Sequence, residues 1–475
     1  MTPALRHAPV MVAHSYYLAH DPKQTARMRP YPPLATLLAA SLLRERGMAV
    51  RLFDAMLSEG VHEFELALDA EAPAIVGIIE DNFNFLTKMC TTRMREATLA
   101  MIRAAKDRGC RVAVNGSDAT DQPATYLAAG ADAVITGEAE HTFAELVAAW
   151  QRDSAARLDD IPGLRLGTPM NGGVHATPAR PFLDDLDALP FPAWDLVDVA
   201  RYRSAWGSAH GRLSWNVVAS RGCPYHCNWC AKPVFGTRYA QRTPENVAEE
   251  LAQLRATVAP DHVWFADDIF GLTAPWITRF ADEVRRRDAR IPFMMQSRVN
   301  LMRPPVVAAL ATAGCEEVWL GVESGAQHIL DGMDKGTRLN QVRAATRTLR
   351  GAGIHTGWFI QLGYLGEDWA DILRTRDLVR EERPDDIGVS VAYPLPGTGF
   401  YERVRTQLGT KRHWEDSGDL AMMFRGTYTT PFYREVRDLL HDEVAAGGTQ
   451  DLDDRWAALA HREPDARTTT TATTA

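Results

Sequence analysis

At 475 residues the chain is too long for one ordinary hydrophobic core, and two domains with an extension are expected. Hydrophobic residues at 46% exclude a disordered chain, and a formal charge of −9 with no dense basic block excludes a nucleic-acid partner held along its phosphates. The start MTPALRHAPVMVAHSYYLAHDPK lacks the basic and apolar regions of a secretory signal, and no apolar stretch reaches membrane-spanning length; a cytoplasmic protein with no membrane partner is expected.

Between residues 8 and 150 short apolar runs alternate with amphipathic segments. PVMVA (9–13), AVRLFDA (49–55), AIVGII (74–79), RVAVNG (111–116) and AVIT (133–136) read as strands, and PLATLLAASLLRERG (33–47) reads as a helix closing on Gly47. The alternation predicts a doubly wound, Rossmann-like α/β domain over 1–150. Its ligands belong beyond the carboxyl ends of the strands, at Glu80–Asn84, Gly116–Asp121 and Gly137–Glu140. Neither G-x-G-x-x-G after the first strand nor G-x-x-x-x-G-K-[ST] occurs, which removes support for NAD and ATP.

Residues 151–212, rich in Pro, Gly and Asp, read as a linker. From 213 to 410 six strand-and-helix repeats begin at WNVVAS, HVWFADD, FMMQSR, EVWLGVES, TGWFIQLG and IGVSVAYPLP, the pattern of a partial (β/α)6 barrel with its functional groups at the carboxyl ends of the strands. Amphipathic helical segments fill 411–462, and the Thr/Ala tail at 463–475 is expected to be disordered.

Of six cysteines, Cys90, Cys110 and Cys315 are scattered and read as small buried apolar residues. Cys223, Cys227 and Cys230 form C-x3-C-x2-C directly after the first strand of the second domain. Three thiolates on so short a loop select zinc, Cu(I) or an iron–sulfur cluster. Structural zinc wants four closed ligands, and His226, beside Cys227, points off the convergent face. A cubane held by three cysteines instead leaves one iron open to a small molecule bearing an amine and a carboxylate.

With Arg221-Gly222 before the first cysteine and Trp229 before the third, this loop resembles that of the radical SAM superfamily. The resemblance implies a [4Fe-4S] cluster on Cys223, Cys227 and Cys230, with S-adenosylmethionine on its open iron. It further implies a one-electron donor such as flavodoxin or ferredoxin, and a 5′-deoxyadenosyl radical that abstracts hydrogen from a small-molecule substrate. Similar segments recur at FADDIFG (265–271), QSR (296–298), GVESG (321–325), QLGYLGED (361–368) and AYPLPGTGFYE (392–402). They imply that Trp229, Arg298, Glu323 and Ser324 lie around the cofactor; Arg298 also reads as one half of a buried ion pair, and Asp267 and Asp268 as helix caps. Leu365 stands where the family has proline, before Glu367.

Residues 8–150, with the NGSDAT and TGEAEHTFAEL loops, resemble the cobalamin-binding domain that precedes the barrel in one radical SAM subfamily, as does PAWDL (192–196). The D-x-H-x-x-G loop of other cobalamin proteins is missing, and His14 and His20 read as loop residues. If the domain binds methylcobalamin, the resemblance implies C-methylation of a natural-product substrate. If it is empty, it implies radical dehydration or deoxygenation of an aminoglycoside-like sugar. Glu138 and Glu140 read as solvated acids at a helix start, and Asp416, Asp419 and Arg425 as polar groups able to close the barrel mouth. The expected outcome for Cys227→Ala after anaerobic reconstitution is loss of the visible iron–sulfur absorption; a spectrum like that of the parent would refute the ligand assignment.

Overall fold

The computed structural model describes residues 8–84, 91–153, 156–168, 173–230, 234–408, 420, 422–447 and 451–468. Two compact units emerge: Met1–Gly222 with Lys232–Ala266, and Cys223–Ala231 with Asp267–Ala475. Cys90, Asp416, Asp419 and residues 469–475 lie outside the described residues.

In the first unit β1 (Val10–Ala13), β2 (Val50–Phe53), β3 (Ile75–Ile79), β4 (Arg111–Asn115) and β5 (Ala133–Ile135) pair in parallel, in the order β2-β1-β3-β4-β5. The uninterrupted apolar runs VMVA and IVGII are buried at every position, as strands covered on both faces must be, whereas the edge strand β2 alternates. Helices Val61–Glu71 and Thr91–Asp107 supply one covering layer, where Phe64, Leu68, Met101 and Ile102 pack on Val76, Ile78 and Val112. Chain direction across the sheet reverses at β1, with β2 on one side and β3 on the other. That is the switch point at which such sheets open a crevice beyond their carboxyl ends.

The stretch from 151 to 212 is more ordered than its composition suggests. β6 (Leu164–Gly167) and β7 (Val174–Ala176) extend the sheet as antiparallel strands, and a helix, Val199–His210, starts at Asp198, whose carboxylate accepts from Ala200 N and Arg201 N. Strands of four and three residues are too short to show alternation in the sequence. After them come β8 (Ser214–Val217), the hairpin of β9 (Ser220–Arg221) and β10 (Ala240–Gln241), and β11 (His262–Phe265), which is parallel to β8. Residues 30–32 are stitched to this region: Trp206 Nε1 donates to Pro30 O (2.6 Å), Asn216 Nδ2 donates to Pro32 O (2.9 Å), and Tyr31 OH pairs with Ser214 Oγ (3.0 Å).

The second unit is built on four parallel strands, β12 (Phe293–Ser297), β13 (Cys315–Glu323), β14 (His355–Leu362) and β15 (Asp386–Val391), in chain order across the sheet. With β8 and β11 they complete the six strands of the expected repeats. Met295, Val318, Leu320, Trp358 and Ile360 are buried on one face, while Met294, Gln296, Trp319 and Phe359 on the other keep partial exposure. Beyond the last strand, helix Thr430–Ala446 packs on β15 and on helix Trp369–Glu382. Helix Asp453–Ala466 is held to it by a hydrogen bond from Trp456 Nε1 to Glu443 Oε1 (2.7 Å). Among the described residues no helix is long and apolar enough to cross a membrane.

The turn after β14 is closed by Glu367, which accepts from Gly363 N (2.5 Å) and is 1% exposed, with Oε1 unpartnered. Burial, reinforced by Asp371 and Asp368, pushes its carboxyl up to about 8 against the opposing hydrogen bond from Gly363. A carboxyl raised in this way binds a proton in the folded state that the unfolded chain releases. Stability therefore falls as pH rises from the ordinary carboxyl range to about 8, by at most about 1.4 kcal/mol per pH unit. Glu367→Gln keeps an acceptor for Gly363 N and removes the proton, so denaturation midpoints should lose this slope and exceed those of the parent at pH 8.

Candidate active site

The cysteine loop lies wholly within the second unit. Cys223, Cys227 and Cys230 are half-buried, and a turn closes Cys230 N on Cys227 O (3.2 Å). His226 is exposed, as expected of a residue off the convergent face.

Asn228, which the sequence did not single out, is the main anchor of the loop. Its Nδ2 donates to Gly332 O and Asp334 Oδ2 (both 2.8 Å), its N donates to Met333 O (3.0 Å), and its carbonyl accepts from Phe400 N (2.9 Å). Tyr364 OH lies 2.8 Å from Asn228 Oδ1 and 2.6 Å from Gly332 O, and accepts from Arg403 Nη1 (3.0 Å). Trp229 packs beside a buried cluster that includes Met333, Tyr364, Phe400 and Phe424. The loop is thus tied to the turn before Lys335, to the turn after β14 and to the segment after β15.

Arg298, at the end of β12, is 6% exposed. Its guanidinium lies 3.8 Å from the centre of the Tyr225 ring, Nη1 donates to Cys227 Sγ (3.5 Å), Nε donates to Asn300 Oδ1 (3.3 Å), and Nη2 bonds the carbonyl of Lys335. The expected buried partner is therefore a thiol and a carbonyl rather than a carboxylate. Glu323 is 4% exposed and accepts from Lys335 Nζ (2.7 Å), itself 5.8 Å from the centre of the Trp229 ring. Ser324 is fully buried, and its Oγ accepts from Ala326 N (3.1 Å), a local turn contact. Asp267 is buried and Asp268 exposed; the helix that follows begins at Thr273, so neither aspartate caps it. The fold gathers Cys227, Trp229, Arg298 and Glu323 around Lys335, a residue whose position in MDKG carries no periodic or motif signal.

Among the described residues no three His, Cys, Asp or Glu side chains stand within common metal-ligating reach. The fit to an iron–sulfur cluster rests instead on donor chemistry: three thiols on one braced loop, one of them accepting a hydrogen bond from a buried guanidinium.

At the switch point of the first unit the polar groups are buried rather than solvated. Ser15 Oγ donates to Glu80 Oε1 (2.6 Å), Thr98 Oγ1 lies 2.8 Å from Ser15 Oγ, and Asn82 Nδ2 donates to Asn115 Oδ1 (3.0 Å). Burial raises the pKa of Glu80 against these hydrogen bonds and pushes that of Asp81 up to about 6. His14, 1% exposed at the end of β1, accepts from Ala55 N through Nε2 (3.0 Å) and leaves Nδ1 without a partner. The neighbouring crevice is lined by Glu80, Thr98, Asn115, Ser117, Asp118 and Tyr126. The groups lining it are hydrogen-bonded to one another, and His14 Nδ1 is a polar atom here left over.

Glu138 and Glu140 depart from expectation. Both are buried and grip Arg221, at 2.6 Å each, and Leu183 N donates to Glu138 Oε2 (2.7 Å). The guanidinium lies 5.5 Å from the ring centres of both Phe83 and Phe235. Burial works against its charge, but Glu140 and Glu138 outweigh that and hold its pKa above the ordinary arginine value.

Residues 217–379 match the family model of the radical SAM superfamily, and residues 28–147 match that of the B12 binding domain. An uncharacterized methyltransferase of Pyrococcus horikoshii is 29% identical over 384 residues, 78% of either chain. The hopanoid C-3 methylase of Methylococcus capsulatus is 26% identical over 80% of this chain and 70% of its own. In fold, the chain is similar to the radical S-adenosylmethionine methyltransferase TsrM of Kitasatospora setae solved with cobalamin and a [4Fe-4S] cluster. The TM-score is 0.67 at 20% identity, over 85% of this chain and 79% of that one.

Replacing Asn228 with alanine removes three side-chain hydrogen-bond partners and should cost about 1–3 kcal/mol in chemical denaturation. Iron and sulfide uptake by the refolded chain should fall with it. Unchanged stability and iron content would remove Asn228 from its place as anchor.

Proposed function

The chain belongs to the radical SAM superfamily, in the branch with a B12-binding domain ahead of the radical SAM domain, and from that premise we propose that it methylates a carbon of a small natural-product substrate. The family's cofactors are a [4Fe-4S] cluster, S-adenosylmethionine and cobalamin. When bound, the first two supply hydrogen abstraction after reductive cleavage, and the third supplies a transferable methyl group. The observation that carries the reading is the coexistence, in one chain, of the braced C-x3-C-x2-C loop and a B12-binding domain.

In this reading Cys223, Cys227 and Cys230 hold the cluster. Arg298 donates to Cys227 Sγ and fixes the loop against Tyr225. Trp229, packed on the apolar cluster behind it, excludes water from the cluster's rear. Glu323 would present its carboxylate to the amino or hydroxyl groups of S-adenosylmethionine, and Lys335 would orient that carboxylate. Ser324 shapes the turn that places Glu323. His14, whose Nδ1 has no partner at the end of β1, would face cobalamin at the switch point of the B12-binding domain. A flavodoxin or ferredoxin delivers the electron, and the reduced cytoplasm suits thiolate ligands. Dehydration of an aminoglycoside-like sugar is disfavoured by the B12-domain match.

The test is anaerobic reconstitution with iron and sulfide, titration with cobalamin followed in the visible spectrum, and assay for 5′-deoxyadenosine. Stoichiometric cobalamin retention together with cleavage supports the proposal; cleavage with no retained cobalamin overturns the methyl-transfer reading. Glu323→Gln should lower cleavage at least tenfold with iron content unchanged.

A further inference from the structure

The partly exposed face of the second unit's sheet carries an arrangement that the cofactor residues do not use. Trp319, in the middle of β13, lies flat against its neighbours. A Cβ on Gly357, its register partner on β14, would stand 2.4 Å from the indole ring, and one on Gly388, in β15, would stand 3.4 Å from it. Two glycines on successive strands thus clear a bed for one ring. Its Nε1 donates to Glu317 Oε1 (2.7 Å), which fixes the ring's rotation, and Phe359 extends the surface at a centroid distance of 4.9 Å and an angle of 32°. Both aromatic residues keep partial exposure, although the residues flanking them on the other face are buried.

Two further observations give this surface a direction and a polarity. Gly321, the next residue of β13 on the same face, leaves space that Lys335 Nζ and Glu323 Oε1 fill; a Cβ there would meet them at 2.5 and 2.8 Å. At about 3.3 Å per residue, the indole bed lies roughly 13 Å along the strand from Glu323, close enough to present a substrate to the cofactor end. Gln361, two residues beyond Phe359 on the same face by strand alternation, is 3% exposed, and its Oε1 has no partner. The acceptors that accompany the rings are thus an unpartnered amide oxygen and the Glu317 carboxylate. Electron-rich ring faces with acceptors favour a ligand that stacks and donates, and disfavour one bearing a carboxylate or phosphate near its ring.

We propose that the Trp319–Phe359 surface is the substrate platform and that it takes a flat aromatic or heteroaromatic ring carrying an N–H or O–H donor. The inference rests on the radical SAM reading only in supposing that the ligand is the substrate. Gly357 acts as a specificity-determining residue, because a side chain there lifts the indole from its bed.

The test uses the full chain, anaerobically reconstituted, with indole, benzoate and glucosamine as probes followed by saturation-transfer NMR and equilibrium dialysis. Indole should bind, and Trp319→Ala should weaken it at least tenfold. Benzoate and glucosamine should bind at least tenfold more weakly than indole. Iron content and melting temperature report whether Trp319→Ala still folds; Phe359→Leu, a milder change, should weaken indole severalfold if it does not. Indole binding that survives both substitutions overturns the platform, as does Trp319-dependent binding of glucosamine in preference to indole. Cleavage of S-adenosylmethionine by a chain that ignores indole refutes the platform alone, whereas indole binding by a chain that never cleaves refutes the enzymatic reading alone.

Discussion

A guanidinium enclosed by two carboxylates and two aromatic rings is the constraint on which the rest depends. Arg221 stands two residues before Cys223, and its side chain is 4% exposed. Buried charges are tolerated only when fully partnered, and stripping one partner typically costs about 3–5 kcal/mol. Glu138 and Glu140 therefore fix the backbone at Arg221 within the first unit. Gly222 continues that backbone in the left-handed region at φ 73°, where a Cβ would stand 2.1 Å from the carbonyl oxygen of Arg238, so no side chain is tolerated. Arg221 and Gly222 fix the end of the first unit, and Asn228 anchors the loop within the second.

This division of labour explains which parts of the molecule were legible in the sequence. Strands with continuous apolar runs, such as IVGII, and those with alternation, such as FMMQS, stand within a residue or two of where periodicity places them, because burial on one or both faces is a property of local pattern. The cysteine trio was legible because ligand spacing is local too. Lys335, Asn228 and Tyr364 were not, because each acts through hydrogen bonds to residues brought near it only by the fold, which leaves no period and no motif. Glu138 and Glu140 were misjudged for a related reason: an acid at a helix start looks the same whether it faces water or a distant arginine. β6 and β7 escaped notice because sheet extension by three or four residues is decided by the neighbouring strand rather than by composition.

The two units also share a habit of leaving polar groups buried with capacity to spare. His14 Nδ1 in one, and Gln361 Oε1 and Glu367 Oε1 in the other, have no partner within the chain. Native proteins keep few such groups, and those that persist tend to sit at sites of binding or strain. Here they stand at the end of β1, on the face that carries the Trp319 ring, and in the turn after β14; the last two fall in the QLGYLGED segment that the sequence already marked.

One irregularity reaches beyond this chain. On β13 the pairing with β14 steps from Gly321–Phe359 to Glu323–Ile360, so Val322 is an extra residue, and Glu323 has a φ of 68°. Glu323 nonetheless reaches the side of the strand that carries Trp319 and Gly321, where its Oε1 would meet a Cβ on Gly321 at 2.8 Å. A sequence alignment that slides by one position here would exchange Val322 for Glu323 and assign the acidic role to an aliphatic residue. Homology transfer across this strand is safe only when the extra residue is placed at the bulge.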